Sequence, residues 1–288
     1  MNKKTKIFLL ATFLSTTFAG LFMSAQFALA GGEDSKKDEI KFKDTFFLEE
    51  TESKQNSGSG NVIPLKEAKL NIEHNAKDRD TGFQGFIDSE GWNMITLTGP
   101  NGKVLEFKAT GKLGSLGLTE LFFETVEPAN ADVPIAEVLK TLPEGNYVFK
   151  GSAIEVGEKK GKTIGTAWLT HDIPEGPVLL SPAEDAVVPV DEDLVVRWSP
   201  VDETIEGSDD INIISYQLII EKDETPHQHM IGKRGLSMYL PADVTEIHIP
   251  KEFLEPGTDY KWEVLAIEES GNQSLTSSQF STEDSLPS

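Results

Sequence analysis

Four carboxylates crowd one short stretch: Asp78, Asp80, Asp88 and Glu90 in NAKDRDTGFQGFIDSEG. Hard oxygen donors in a glycine-bearing loop are what calcium takes. The sequence leaves open whether Asp78, Asp80 and Asp88 form such a loop. Gly82 stands where an EF-hand loop would place a ligand, and Arg79 offsets part of the charge. A polar loop between strands, capped by Asp side chains, accounts for the same residues. His227 and His229 lie two apart, so on a strand they share a face and could chelate a transition metal. No third ligand of matching spacing is visible, and an exposed pair on an edge strand is the competing reading. His74, His171 and His248 are isolated, with nothing to place them beside a nucleophile.

Of the four tryptophans, Trp92 follows Asp88-Ser-Glu-Gly at the entry to a strand and could offer a ring face to a sugar. A place in the core or on its rim competes with that role. Trp198 and Trp262 read as core or strand packing. There is no Gly-x-Ser-x-Gly elbow, no His-Glu-x-x-His, no phosphate loop and no cysteine. Carboxylates are abundant enough that counting does not exclude a glycosidase pair. The expectation is therefore a non-enzymatic protein with no catalytic residue, no cofactor and no metal site.

The elements around these residues begin with an export signal. Lys3, Lys4 and Lys6 precede an apolar run from Ile7 to Met23, and Ala28-Leu29-Ala30 matches a cleavage site. Residues 1–30 read as a secretory signal peptide, with an uncleaved N-terminal anchor as the alternative. No second long apolar run occurs, so no membrane span is expected after cleavage. With no cysteine a lipid anchor is excluded, and the cores must stand without disulfides. The net charge is −22, and the signal holds three of the 26 Lys+Arg and none of the 48 Asp+Glu, so a cleaved chain is more acidic still. Such acidity argues against nucleic acid and anionic membrane surfaces. It suits a solvated coat, cationic partners or divalent cations.

Residues 31–63 form a charged leader ending in Ser57-Gly58-Ser59-Gly60, interrupted by Phe46-Phe47-Leu48, and read as mostly disordered. Residues 64–172 read as a β-sandwich of short strands. Ala68, Leu70 and Ile72 alternate with polar neighbours, and GFQGFID (82–88) gives a second strand. Ile95 and Leu97, then Leu105, Phe107 and Ala109, flank a Gly99-Pro-Asn-Gly102 hairpin turn. Residues 118–125, 147–153 and 163–170 give further strands. Ile135, Val138, Leu139 and Leu142 fall at helical spacing, so this domain is expected to carry a single short helix. Two prolines and a glycine within His171-Asp-Ile-Pro-Glu-Gly-Pro177 place a stiff linker at 173–176, with the domains end to end.

Residues 177–283 carry the most specific pattern, with 284–288 as a tail. Pro256-Gly257 is a turn, after which Tyr260, Trp262, Val264 and Ala266 alternate with Asp259, Lys261, Glu263 and Leu265. A tyrosine just after such a turn can tie its hydroxyl to the upstream backbone, the tyrosine corner of β-sandwiches. Leu254-x-Pro256-x-Thr258-x-Tyr260 resembles the E–F corner of fibronectin type III domains. The resemblance covers 177–282: Val178–Pro182 looks like strand A, Leu194–Pro200 with Trp198 like B, Ile214–Ile220 with Tyr216 like C, Thr245–Ile249 like E, and 275–282 like G. It departs over Asp223–Pro241, expected to hold strand C′ and an extra strand or loop.

The expected fold class is all-β: two β-sandwich domains in tandem, the C-terminal one similar to fibronectin type III. The arrangement also resembles bacterial secreted proteins that contain such a domain. That resemblance implies a binding or spacing role, secreted or periplasmic, toward an unknown extracytoplasmic protein or polysaccharide. It transfers no catalytic residue. The alternative is a carbohydrate-binding accessory module resting on Trp92, and a hydrolase using the spare carboxylates stands third.

Overall fold

The computed structural model describes residues 61–155, 157–208 and 210–284. The expected signal peptide, nearly all of the leader and all but the first residue of the tail lie outside them. The described chain is all-β apart from two α-helices and one 3-10 turn. No helix among the described residues is long and apolar enough to cross a membrane.

Strands β1 (Val62–Pro64), β2 (Glu67–Asn75), β3 (Asp80–Gly99), β4 (Gly102–Lys108), β5 (Leu118–Glu124), β6 (Gly145–Glu155) and β7 (Glu158–Leu169) build the first half. The two strands expected at 82–88 and 95–97 are one strand, β3, of 20 residues. It stays extended through Ser89-Glu90-Gly91 because Trp92 pairs with Leu118 of β5 on one edge and Ala153 of β6 on the other. The register shifts between Asp88 and Trp92, as at a bulge. Before the shift β3 lies between β2 and β5; after it, between β4 and β6. The sheet continues to β7 and then β1, and the chain leaving β1 enters β2 at once. It therefore folds around a core that includes Ile72, Phe83, Ile87, Trp92, Leu97 and Phe149. Trp92 is fully buried there, and its indole N–H donates to the Thr119 carbonyl at 3.3 Å.

Helix α1 (Gly111–Leu116) was not expected. Leu113 and Leu116 are exposed, so no apolar periodicity marks it. Helix α2 (Ile135–Leu139) turns Val138 into the core, with Ile135 and Leu139 against its margin. Leu142 is buried as anticipated but lies just past the helix.

The second half holds β8 (Leu179–Ser181), β9 (Ala186–Val188), β10 (Leu194–Trp198), β11 (Ile213–Lys222), β12 (Gly235–Pro241), β13 (Glu246–Ile249), β14 (Asp259–Glu268) and β15 (Gln273–Thr282). One sheet runs β8-β10-β13, and the facing one β12-β11-β14-β15. The strands likened to A, B and E thus share one sheet, and those likened to C′, C and G share the other with β14, the strand after the E–F corner. Short β9 adds a parallel pairing to β15. Alternation explains β14: Tyr260, Trp262, Val264 and Ala266 are buried in a core with Trp198, Tyr216 and Phe280. The corner forms as expected, with the Glu255 amide donating to the Tyr260 hydroxyl at 2.9 Å.

The halves meet edge to edge rather than end to end. β2 and β15 pair in parallel through Glu73–Gln273, His74–Ser274 and Asn75–Leu275. One path of nine strands then runs β1-β7-β6-β3-β2-β15-β14-β11-β12. The linker is held as well: Ile205 N–H donates to the Ile173 carbonyl at 3.0 Å, and Glu175 N–H to that of Glu203 at 2.9 Å.

Candidate functional site

Next to the β2–β15 seam, three strands bring acidic side chains together. Side chains alternate along a strand, so register decides which residues share a face. Gln273 on β15 lies opposite Glu73 on β2, and Glu73 opposite Gly82 on β3. Two residues on, Gln84 lies opposite Glu124 of β5. The chain past β5 then folds back, with Thr125 N–H donating to the Phe83 carbonyl at 2.9 Å, which carries Glu127 over β3. A glycine is needed beneath it: a Cβ at position 82 would sit 2.7 Å from Glu127 Cγ.

One carboxylate oxygen from each of Glu73, Glu124 and Glu127 lies within 4.8 Å of the others, the only such acidic or histidine group among the described residues. Glu73 is 1% exposed. Its Oε2 accepts from Gln273 Nε2, which also donates to Gln84 Oε1 at 3.2 Å. Gln84 Nε2 donates to Glu124 Oε1 at 3.2 Å. Glu73 Oε1 and Glu127 Oε1 are buried without a hydrogen-bond partner among the described residues, as are Asp80 Oδ1 and Asn130 Oδ1.

Burial and like charge make these groups reluctant anions. Burial, reinforced by the Glu127 charge, pushes the Glu73 carboxyl up to about 8. Burial, with the charges of Glu124 and Asp80, pushes Glu127 up to about 8. Glu124 and Asp80 are also raised, chiefly by burial. On the adjoining β14, burial and Glu221 push Glu263 up to about 7 against the pull of Lys233. Three crowded carboxylates, two of them with a free buried oxygen, can share protons or hold a cation.

The stretch singled out in the sequence is taken apart by the fold. Asp78 sits in the β2–β3 turn, where the Asn75 side chain accepts from the Lys77 and Asp78 amides at 3.1 and 3.0 Å. Asp88 and Glu90 lie along β3, and Asp88 is about 26 Å of strand from Asp80. Glu90 pairs with Lys66 at 3.0 Å instead. Only Asp80 of the four reaches the new cluster, through its effect on Glu127. Trp92 is core and cannot meet a sugar; the exposed indole is Trp168, at 63%. His227 and His229 lie in the β11–β12 connection, not on a strand, with rings 5.5 Å apart. His74 is buried against the Thr81 hydroxyl at 2.9 Å.

Glu73, Glu124 and Glu127 escaped the sequence reading because Glu73 and Glu124 occupy the polar alternate positions of strands, which look solvated. The usable signal was the β2–β3 hairpin register, which sets Glu73 over a glycine.

No protein-family model matches the chain, and no curated protein does. Among solved structures, fibronectin(III)-like modules of Clostridium thermocellum CbhA align over 76% of this chain and 93% of theirs, at 11% identity and a TM-score of 0.30. A two-domain fibronectin type III segment of chicken tenascin aligns over 76% of this chain and 99% of its own, at 13% and 0.26. The fibronectin domain of human collagen alpha-1(XX) aligns over 41% of this chain and 91% of its own, at 22% and 0.25. The architecture rests on this chain's own strand order: an all-β molecule in which residues 179–282 form a two-sheet sandwich.

Proposed function

We propose that this is an exported, non-enzymatic binding and spacer protein that contacts another protein at the cell envelope or outside the cell. The observation that carries the reading is the β11–β12 connection. Ile231 at its tip is 99% exposed, beside the half-exposed Met230. Its base is fastened by the Lys222 amide to the Arg234 carbonyl at 2.9 Å, and by Arg234 to Glu224 at 2.8 Å. An apolar tip on an anchored base is pre-organised for a partner, which lowers the ordering cost of contact. The joined sandwiches hold that tip away from the N-terminal half, as a spacer requires. Residues 1–30 support export.

The test is a photo-crosslinking side chain at position 231 in the native envelope, with a control at exposed Leu116. A discrete adduct at 231, absent at 116 and lost when Met230 is replaced by Asp, is expected. The same products at both positions, or none, sink the binding half of the reading. The carbohydrate alternative loses its motive residue, since Trp92 is in the core.

A further inference from the structure

Glu73 carries a problem that the protein groups around it do not solve. It is almost fully buried, one carboxylate oxygen is satisfied by Gln273, and the other has no donor among the described residues. Buried polar atoms are nearly always partnered, and an unpaired buried carboxylate is costly. Glu124 and Glu127 each bring a carboxylate oxygen within 4.8 Å of one of Glu73's. Glu127 Oε1 is buried and unpartnered too, as is Oδ1 of Asp80 at the start of β3.

The donor set is all hard oxygen, one carboxylate oxygen from each of three residues, all within 4.8 Å of one another. Calcium takes several carboxylate oxygens in flexible geometry. Magnesium is usually held by one or two carboxylates and keeps several waters. Transition metals that favour nitrogen find no histidine in the group.

We propose that Glu73, Glu124 and Glu127 bind a divalent cation of the calcium class, and that the bound ion tightens the seam between the two sandwiches. The second part follows from how Glu73 is held. The carboxylate that would ligate the ion also receives the Gln273 amide across the β2–β15 pairing. An ion that fixes Glu73 therefore fixes the acceptor on which Gln273 rests. The same strand ends give the Ile72 amide to Asn272 Oδ1 at 2.8 Å and the Ala76 amide to the Leu275 carbonyl at 2.9 Å. Those two amides report on the seam without taking part in the cation site. Binding here does not depend on what the β11–β12 tip contacts.

The experiment uses the chelator-treated protein at pH 7.5. Calcium is titrated by calorimetry, and hydrogen exchange of the Ile72 and Ala76 amides is followed with and without it. Saturable binding at one ion per chain and slower exchange at both amides are expected. Glu127→Gln and Glu124→Gln should each weaken binding by roughly tenfold or more, as one of three ligating carboxylates is lost. Glu124 is the least buried of the three, so its variant remains informative should Glu127→Gln misfold. No heat at millimolar calcium, equal heat from magnesium, or unaltered binding in a folded variant overturns the cation site. Binding with unchanged exchange at Ile72 and Ala76 overturns the link to the seam.

Discussion

Glu73 and Glu127 each hold a proton more tightly folded than unfolded, from an ordinary value of 4.5 up to about 8. A raised carboxyl makes the folded state bind more protons, so stability falls as pH rises. The stabilisation is complete below about 4.5 and is lost as pH climbs through about 8. The charges facing the pair are Glu124, Asp80 and Glu263, with Gln273 as the opposing donor. In chelator, the urea midpoint should therefore be higher at pH 5 than at pH 8, and Glu73→Gln with Glu127→Gln should flatten that slope. An unchanged slope would mean that the surface charge sets it. Tyr260 is a contrasting case, because its role was readable in advance. Position after a Pro-Gly turn and alternation into a core specify the corner locally. Tyr260→Phe leaves the Glu255 amide without its acceptor and should cost about 1 kcal/mol in urea denaturation. Glu73 was not readable, because its burial depends on residues 50 and 200 positions away.

Among the elements, β3 decides most. Its first half displays the carboxylate site and its second half carries Ile95 and Leu97 into the core. Alternation made most of the strands legible, since each has one buried face. What alternation could not supply was continuity and partnership. Ser89-Glu90-Gly91 has turn composition, yet strands on both edges keep it extended. Nothing in β2 or β15 alone announces their pairing. Helix α1 was invisible for a simpler reason: it buries only Gly114 and so imposes no apolar pattern. The element-scale prediction concerns Gly82, where β3 must pass under Glu127. Gly82→Ala brings a methyl within 2.7 Å of Glu127 Cγ and 2.9 Å of Thr125 Oγ1. Overpacking of this kind costs about 1–3 kcal/mol. The substitution should lower the melting temperature and displace Glu127 enough to weaken calcium binding, whereas Gly102→Ala, strained by its φ of 106° but with nothing within 4 Å of the new Cβ, should leave binding intact. Equal affinity in Gly82→Ala would show that Glu127 does not need its present path over β3.

For the whole molecule, the question is whether two sandwiches behave as two bodies or as one. Each has its own core, and domains joined by a short linker ordinarily move against one another. Here the junction is a continuation of the sheet, and Asn272 is its keystone. That side chain is fully buried, accepts from Ile72 N–H at 2.8 Å, and donates to the Thr170 hydroxyl and the Asp172 carbonyl, both at 2.9 Å. It binds strand β2, the end of β7 and the linker to the turn before β15. Replacing it with Ala strands the amide of buried Ile72 and takes a donor from Thr170 and Asp172, at a cost of about 1–3 kcal/mol for a buried group left unpaired. The cost falls on the coupling rather than on either core. Calorimetry of the intact protein should then show one cooperative transition, and Asn272→Ala should split it into two, with small-angle scattering reporting a broader distribution of shapes. A single transition that merely moves to lower temperature would mean that the strand pairing and the clamped linker couple the sandwiches without this side chain. Two transitions already present in the unaltered protein would show that the continuous sheet does not couple the two sandwiches.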